Sequence, residues 1–207
     1  MSHLFVVMKT SIVIIVVYTL AYLLFACVES HHFPVTYTAV NLVMPTETVV
    51  TTSPLAPAPI SLTIPSIGVL AKVQPVGLAS DGSGEMAPPS NFVDVAWYKD
   101  GTVPGMNGNA VIAGHLSGKK VPEAVFYDLK KLVLGDEILV TDESGATLTF
   151  KVTAVKSFKH TDPADEVFLG DSTAARLNLI TCAGTWLPGV SLFEERIVIF
   201  SELVTTE

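Results

Sequence analysis

The sequence predicts an all-β domain, a closed barrel or a sandwich, behind an N-terminal membrane helix. From Ile60 onward apolar and polar residues alternate over short runs broken by Pro, Gly and Asp, and only one later segment has helical character. Many short strands with so little helix leave a barrel or a sandwich as the way to bury one face of the sheet. The third observation lies at the other end of the chain: Thr10 to Val28, TSIVIIVVYTLAYLLFACV, is 19 residues without a charge.

At about 1.5 Å per residue that run spans the ~30 Å hydrocarbon core of a bilayer. Lys9 precedes it, Glu29 follows it, and the next lysine is Lys72. Residues 1–9 are therefore expected in the cytoplasm, 10–28 as a single-pass signal anchor in the plasma membrane, and the rest outside. A cleaved signal peptide is the rival reading, disfavoured by the length of the run and the lack of an A-x-A-like site. Leu24-Phe25-Ala26-Cys27 resembles a lipobox with an ill-fitting Phe, so lipidation of Cys27 is a third.

Residues 29–59 are rich in Thr, Val and Pro, ending TVVTTSPLAPAP. Proline favours extended polyproline II, so this segment reads as a semi-rigid stalk. Strands are then expected in ISLTIPSIGVLAKVQPVGL (60–78), FVDVAWY (92–98), AVIAGH (110–115), DEILVT (136–141), ATLTFKVTAVKSF (146–158), LNLITC (177–182) and RIVIFSELV (196–204). DGSG, PGMNGN and DESG supply turns between them. EAVFYDLKK (123–131), entered through Pro122, is the helical candidate.

After Val28 come 11 basic and 20 acidic residues. An acidic domain of this kind is a poor nucleic-acid binder, and a lone basic residue beside the membrane is no polybasic lipid patch. The chain has two cysteines, Cys27 and Cys182. Cys27 falls in the membrane run, and a stalk of about 30 residues separates it from the domain, so Cys182 is expected to be unpaired. A lone thiol is either a small buried hydrophobe or a reactive group. Cys182 closes the apolar run LNLIT before Ala183-Gly184, a strand end of the sort where sites are built.

A nucleophilic thiol needs a proton carrier. Of five histidines only His115 and His160 lie in the domain. His115 closes the strand AVIAG, whereas His160 opens a polar loop and reads as solvated. Arginine occurs twice, at Arg176 and Arg196. Arg196 follows Cys182 by 14 residues, a spacing that suits an antiparallel neighbour joined by the loop AGTWLPGVSLFEE. Its fork of permanently charged donors suits a developing oxyanion, and the bland alternative is a surface ion pair with Glu194 or Glu195. Arg176 would sit at the far end of the Cys182 strand.

These residues lie in specific local sequences: AVIAGH at 110–115, LITCAG at 179–184, which fits an L-x-T-C pattern, and ERIVIFSEL at 195–203. In these motifs and their order the chain resembles the sortases, membrane-anchored cysteine transpeptidases of the bacterial surface. TIPSIGVLAKVQPVGL, VAWYKDGTVPGMNGNAVIAGH and AVFYDLKKLVLGDEI resemble the class E and F branches. The resemblance spans 60–204, within a catalytic domain of 60–207.

The resemblance implies an eight-stranded sortase-type β-barrel with one or two short helices. It implies Cys182 as nucleophile, His115 as general acid/base and Arg196 as the oxyanion or substrate-positioning donor, with no cofactor and no metal. The implied partners are surface proteins bearing an LPxTG-like sorting signal and an amine acceptor, typically a peptidoglycan precursor. Thr181 matches a substrate-contact position, with an ordinary strand residue as its alternative. Lys159 to Arg176 corresponds to the loop that shapes the signal groove, where Val167, Phe168 and Leu169 either wall a pocket or pack in the core. Asp162, Asp165 and Glu166 match no dedicated calcium site. The only Asp-Pro is Asp162-Pro163 and the sequence closes SELVTTE, so neither the lid motif nor the second anchor of pilin-polymerising members is expected. Two other readings are a hydrolase of the same fold and a catalytically silent, membrane-tethered β-domain that binds surface proteins or glycans.

Overall fold

The computed structural model describes residues 56–171, 173–189 and 192–204. The expected membrane helix, and the stalk as far as residue 55, lie outside the described residues. Among the described residues no helix is long and apolar enough to cross a membrane.

Eight strands form the domain: β1 (Pro59–Ile64), β2 (Val69–Val76), β3 (Val95–Tyr98), β4 (Gly108–Ala113), β5 (Glu137–Asp142), β6 (Thr147–Lys159), β7 (Ala175–Leu187) and β8 (Leu192–Leu203). They close into a barrel in the order β1-β2-β3-β4-β7-β8-β6-β5. Closure leaves no free sheet edge, which resolves the choice between barrel and sandwich. All neighbouring pairs are antiparallel except β2–β3 and β4–β7, which run parallel.

Alternation along the strands separates two faces. Leu62, Ile64, Ile112, Ile138, Leu177 and Ile199 point into the barrel and are fully buried. On the outer face of β4, β7 and β8, Val111 and Val198 form a second, smaller cluster with Val167. Val167 comes from α1 (Asp165–Phe168), a single helical turn between β6 and β7.

The helix expected over 123–131 is instead a series of turns ending in a 3₁₀ turn at Leu129–Lys131. Its later amides close i→i+3 turns, Tyr127 to Ala124 and Leu129 to Phe126, and the first ones, which a helix would leave unpaired, bond other segments. Ala124 donates to the Leu116 carbonyl, Val125 to Phe92 and Phe126 to His115, at 3.1, 2.9 and 3.0 Å. In exchange, Phe126 and Leu129 drop into the barrel, where both are 0% exposed. Burying two large apolar side chains, at about 1.5–3 kcal/mol each, outweighs a nine-residue helix, which is marginal by itself.

Candidate active site

Three strands set the site. β4 and β7 run parallel with Val111 opposite Asn178 and Ala113 opposite Ile180. The ladder continues past the end of β4, because the Gly114 N–H donates to the Ile180 carbonyl at 3.1 Å. His115 follows Gly114, two residues past the end of β4. On the other flank of β7, Cys182 lies directly opposite Arg196 of β8. Cys182 and Arg196 therefore lie opposite each other on adjacent strands, on the outer face with Ile180 and Val198, while His115, expected to close its strand, lies just beyond the end of β4 on the other flank of β7.

Cys182 was expected to end its strand, and Arg196 to begin the next. Instead β7 continues to Leu187 and β8 begins at Leu192. The stretch expected as a loop is largely a two-stranded ribbon, with Trp186 edge-on to Phe193 at 5.1 Å. The register slips between Ala183 and Trp186, and Gly184 takes φ of 74° at the slip, a conformation that glycine reaches without strain. Cys182 is thus the point where β7 loses its β4 neighbour, so its thiol borders open space from within a rigid strand.

The thiol is free and half-buried. Burial pushes its pKa up, the Arg196 guanidinium pulls it down, and the Glu85 carboxylate pushes it up. The resting site therefore favours the thiol over the thiolate. Arg196 Nη1 donates to the carbonyls of Phe193 and Glu195, both at 3.1 Å. Among the described residues the ion pairs are Lys131–Asp128, Lys156–Glu166, Arg176–Asp171 and Arg176–Glu202, none of which involves Arg196. Its guanidinium is held by backbone and keeps its charge for the site.

His115 is positioned by residues that the sequence did not point to. Its Nε2 lies 3.1 Å from the Pro89 carbonyl, and its ring packs against Phe92 with centroids 4.8 Å apart. A carbonyl only accepts, so Nε2 carries the hydrogen and Nδ1 is left to take a second proton. Pro89, Phe92 and Glu85 all belong to the 18-residue connection between β2 and β3. A long connection of this kind, with little secondary structure of its own, is the signal that could have found them.

The remaining candidates are dispersed. Thr181 points inward, is 4% exposed, and its Oγ1 donates to the Gly114 carbonyl at 2.8 Å, tying the Cys182 strand to the residue before His115. Val167 is buried against Val111 and Val198. Phe168 is half-buried edge-on to Tyr98 at 5.7 Å, and Leu169 is 71% exposed. Val167 thus packs in the core, and Phe168 is one of the partly buried apolar residues packed against it, with Met86, Tyr98, Phe158, Ile180 and Phe200. His160 is exposed, and Arg176 bonds Asp171 and Glu202 at the far end of β7.

A recess of about 150 Å³ opens on the other side of the thiol. Its walls include Leu116, Phe126, Tyr127, Lys130, Cys182 and Ile197. Ile197 and Phe126 pack with the inner core, so the recess lies toward the inner face of the sheet, with Cys182 among its walls.

A sequence model of the sortase domain matches residues 62–204. This chain belongs to the sortase family of cysteine transpeptidases. Its fold is similar to a sortase D5 transpeptidase of Clostridium perfringens, with 21% identity over 70% of this chain and 78% of that one and a TM-score of 0.52. A lid mutant of sortase A from Corynebacterium diphtheriae gives 18% identity, 73% and 72% coverage and a TM-score of 0.55. Sortase C-1 of Actinomyces oris gives 21%, 70%, 73% and 0.53. No curated protein matches the sequence.

Proposed function

We propose that this transpeptidase cleaves an LPxTG-like sorting signal on surface proteins and joins the product to a cell-wall amine, from a domain anchored outside the plasma membrane by residues 10–28. The observation that carries this reading is Cys182 directly opposite Arg196 on adjacent strands, with His115 two residues past the end of β4, the strand on the other flank of β7. A nucleophile, a proton carrier and a permanent cation side by side are what acyl transfer through a thioester needs.

In the proposed reaction the Cys182 sulfur attacks the Thr carbonyl of the signal as its proton passes to Nδ1 of His115. Negative charge develops on the carbonyl oxygen, and Arg196 stabilises it. The intermediate collapses, the C–N bond breaks, and His115 returns the proton to the departing glycine amine. An incoming amine reverses these steps. The partly buried apolar residues of the outer face, Met86, Tyr98, Phe168 and Ile180 among them, suit the Leu and Pro of the signal, with Leu169 exposed next to Phe168 and Thr181 tying the Cys182 strand to Gly114. Within the family we assign the chain to the class E/F branches, on the sequence stretches described above.

The test uses the full chain in detergent micelles with a panel of LPxTG-type peptides and an amine. Mass spectrometry should find a thioester adduct on Cys182 and a peptide–amine product, both lost in Cys182→Ala. His115→Ala and Arg196→Ala should each lower turnover by about two to four orders of magnitude with the melting transition retained. Equal behaviour of wild type and Cys182→Ala across the panel rules the nucleophile out.

A further inference from the structure

The Pro89 carbonyl that meets His115 belongs to an exposed stretch of chain, and something must hold it there. In a trans peptide the C=O and the following N–H point in opposite directions, so the peptide group joining Pro89 to Ser90 can be gripped from both sides. The Ser90 N–H donates to Gln74 Oε1 at 3.0 Å, while the Pro89 carbonyl lies 3.1 Å from His115 Nε2. One rigid plane therefore links a side chain of β2 to the imidazole.

Gln74 is itself fixed. Its Nε2 donates to Asp94 Oδ2 at 2.9 Å, immediately ahead of β3. The side-chain amide is satisfied only this way round, because the reverse would set Nε2 against an N–H and Oε1 against a carboxylate. Asn91 braces the same carboxylate: its Nδ2 donates to Asp94 Oδ2 at 2.7 Å, and its Oδ1 accepts from the Val93 and Asp94 amides at 3.0 and 2.8 Å. Hydrogen bonds from Asn91 and Gln74 hold the Asp94 carboxyl below its usual pKa, with Lys72 adding to the effect, so it stays charged at neutral pH. On the other side of the segment the Val125 N–H donates to the Phe92 carbonyl at 2.9 Å.

These bonds form one directed chain from Asp94 through the Gln74 amide and the 89–90 peptide to His115. Every N–H in it points toward Asp94 and every C=O toward His115, so the dipoles align and strengthen one another. We propose that Asp94 and Gln74 are positioning residues for His115, acting through the 89–90 peptide to keep the hydrogen on Nε2 and leave Nδ1 free for the Cys182 proton. This inference rests on the role proposed above for His115. Two amides thus do for this histidine what a directly bonded carboxylate does in a Ser-His-Asp triad. Neither Gln74 nor Asp94 takes up the proton.

The experiment uses the full chain in detergent micelles, with nitrogen-15 in its histidines and His115→Gln to assign the His115 signals. At alkaline pH, nitrogen–proton correlation spectra should show wild-type His115 as the Nε2–H tautomer. Gln74→Leu keeps the volume and loses both bonds, so it should give a mixture of Nε2–H and Nδ1–H forms. Its kcat with a sorting peptide should fall by about ten- to a hundredfold at unchanged KM, as misplacement of a reacting group does. Asp94→Leu should behave alike, whereas Asp94→Asn keeps an oxygen for Gln74 and Asn91 and should retain the wild-type tautomer. An Nδ1–H form in wild type overturns the inference whatever the variants do. So does a pure Nε2–H form in both leucine variants, even with turnover lost, since the residues would then be structural only. A wild type that forms no thioester overturns the proposed reaction instead, and the tautomer spectra by themselves then decide whether Gln74 and Asp94 position His115.

Discussion

Cys182 is a nucleophile candidate whose surroundings favour its protonated form. Burial is the largest cause, Glu85 adds to it and Arg196 opposes it. Alkylation by iodoacetamide requires the thiolate, so its rate should climb with pH and its midpoint should lie above that of the unfolded thiol. Glu85→Gln removes a charge that disfavours the thiolate and should move the profile to lower pH. Arg196→Gln should move it higher. The same shift has a stability consequence: because the folded pKa is raised, the contribution is fully present below the unfolded thiol pKa and is lost as pH rises through the folded one. The Tm of wild type should therefore fall relative to Cys182→Ala at alkaline pH, as calorimetry can measure. A resting thiol also fits catalysis in which His115 takes the proton only when substrate is in place.

At the scale of elements, two close contacts hold the site's supports. Gly114 passes so near the core that a Cβ there would lie 2.5 Å from Phe126 Cδ2, inside a fully buried ring. Gly114→Ala should cost about 1–3 kcal/mol in chemical denaturation, as overpacking does. Because Gly114 also bonds Ile180 and Thr181, activity should fall with it. The second support is an amide clamp. Asn178 Nδ2 donates to the Val167 carbonyl at 2.7 Å and Asn109 Nδ2 to the same oxygen at 3.3 Å, pinning α1 onto β4 and β7. Asn178→Ala removes the shorter bond and should destabilise by about 1–3 kcal/mol. If α1 walls the signal groove, this variant should raise KM for the peptide while alkylation of Cys182 keeps its rate.

Element identity was largely legible from local pattern. The run ISLTI alternates, Pro65 and Gly68 break it, and β1 and β2 follow where expected. The failures share a cause, which is that partners distant in sequence overrode a local preference. The 123–131 segment gave up its helix to bury Phe126 and Leu129 in a barrel built by other segments. The ribbon beyond Cys182 is held by β7–β8 pairing that its Gly, Pro and Trp do not advertise.

For the whole molecule, the two parallel pairings in an otherwise antiparallel barrel organise function. Because β4 and β7 run the same way, His115 and Cys182 leave the barrel at the same end, and antiparallel β8 returns Arg196 to that level. The proposed anchor adds a prediction at this scale. In cells the full chain should stay with membranes through alkaline carbonate extraction, and external protease should digest the domain while an N-terminal tag stays protected. Digestion of the tag, with the domain protected, would reverse the proposed orientation.

The sequence by itself determined the residue types that carry the chemistry and the motifs around them, the β character of the domain and the uncharged run ahead of it. Each of these is written in neighbouring residues, as periodicity, composition or local pattern. Tertiary structure alone decided that the barrel closes and that β4 lies beside β7. It also set the 77–94 connection over His115 through Pro89 and Phe92, and opened a recess beside Lys130 on the inner side of the thiol. These depend on hydrogen bonds and packing between segments far apart in the chain, for which no local pattern codes.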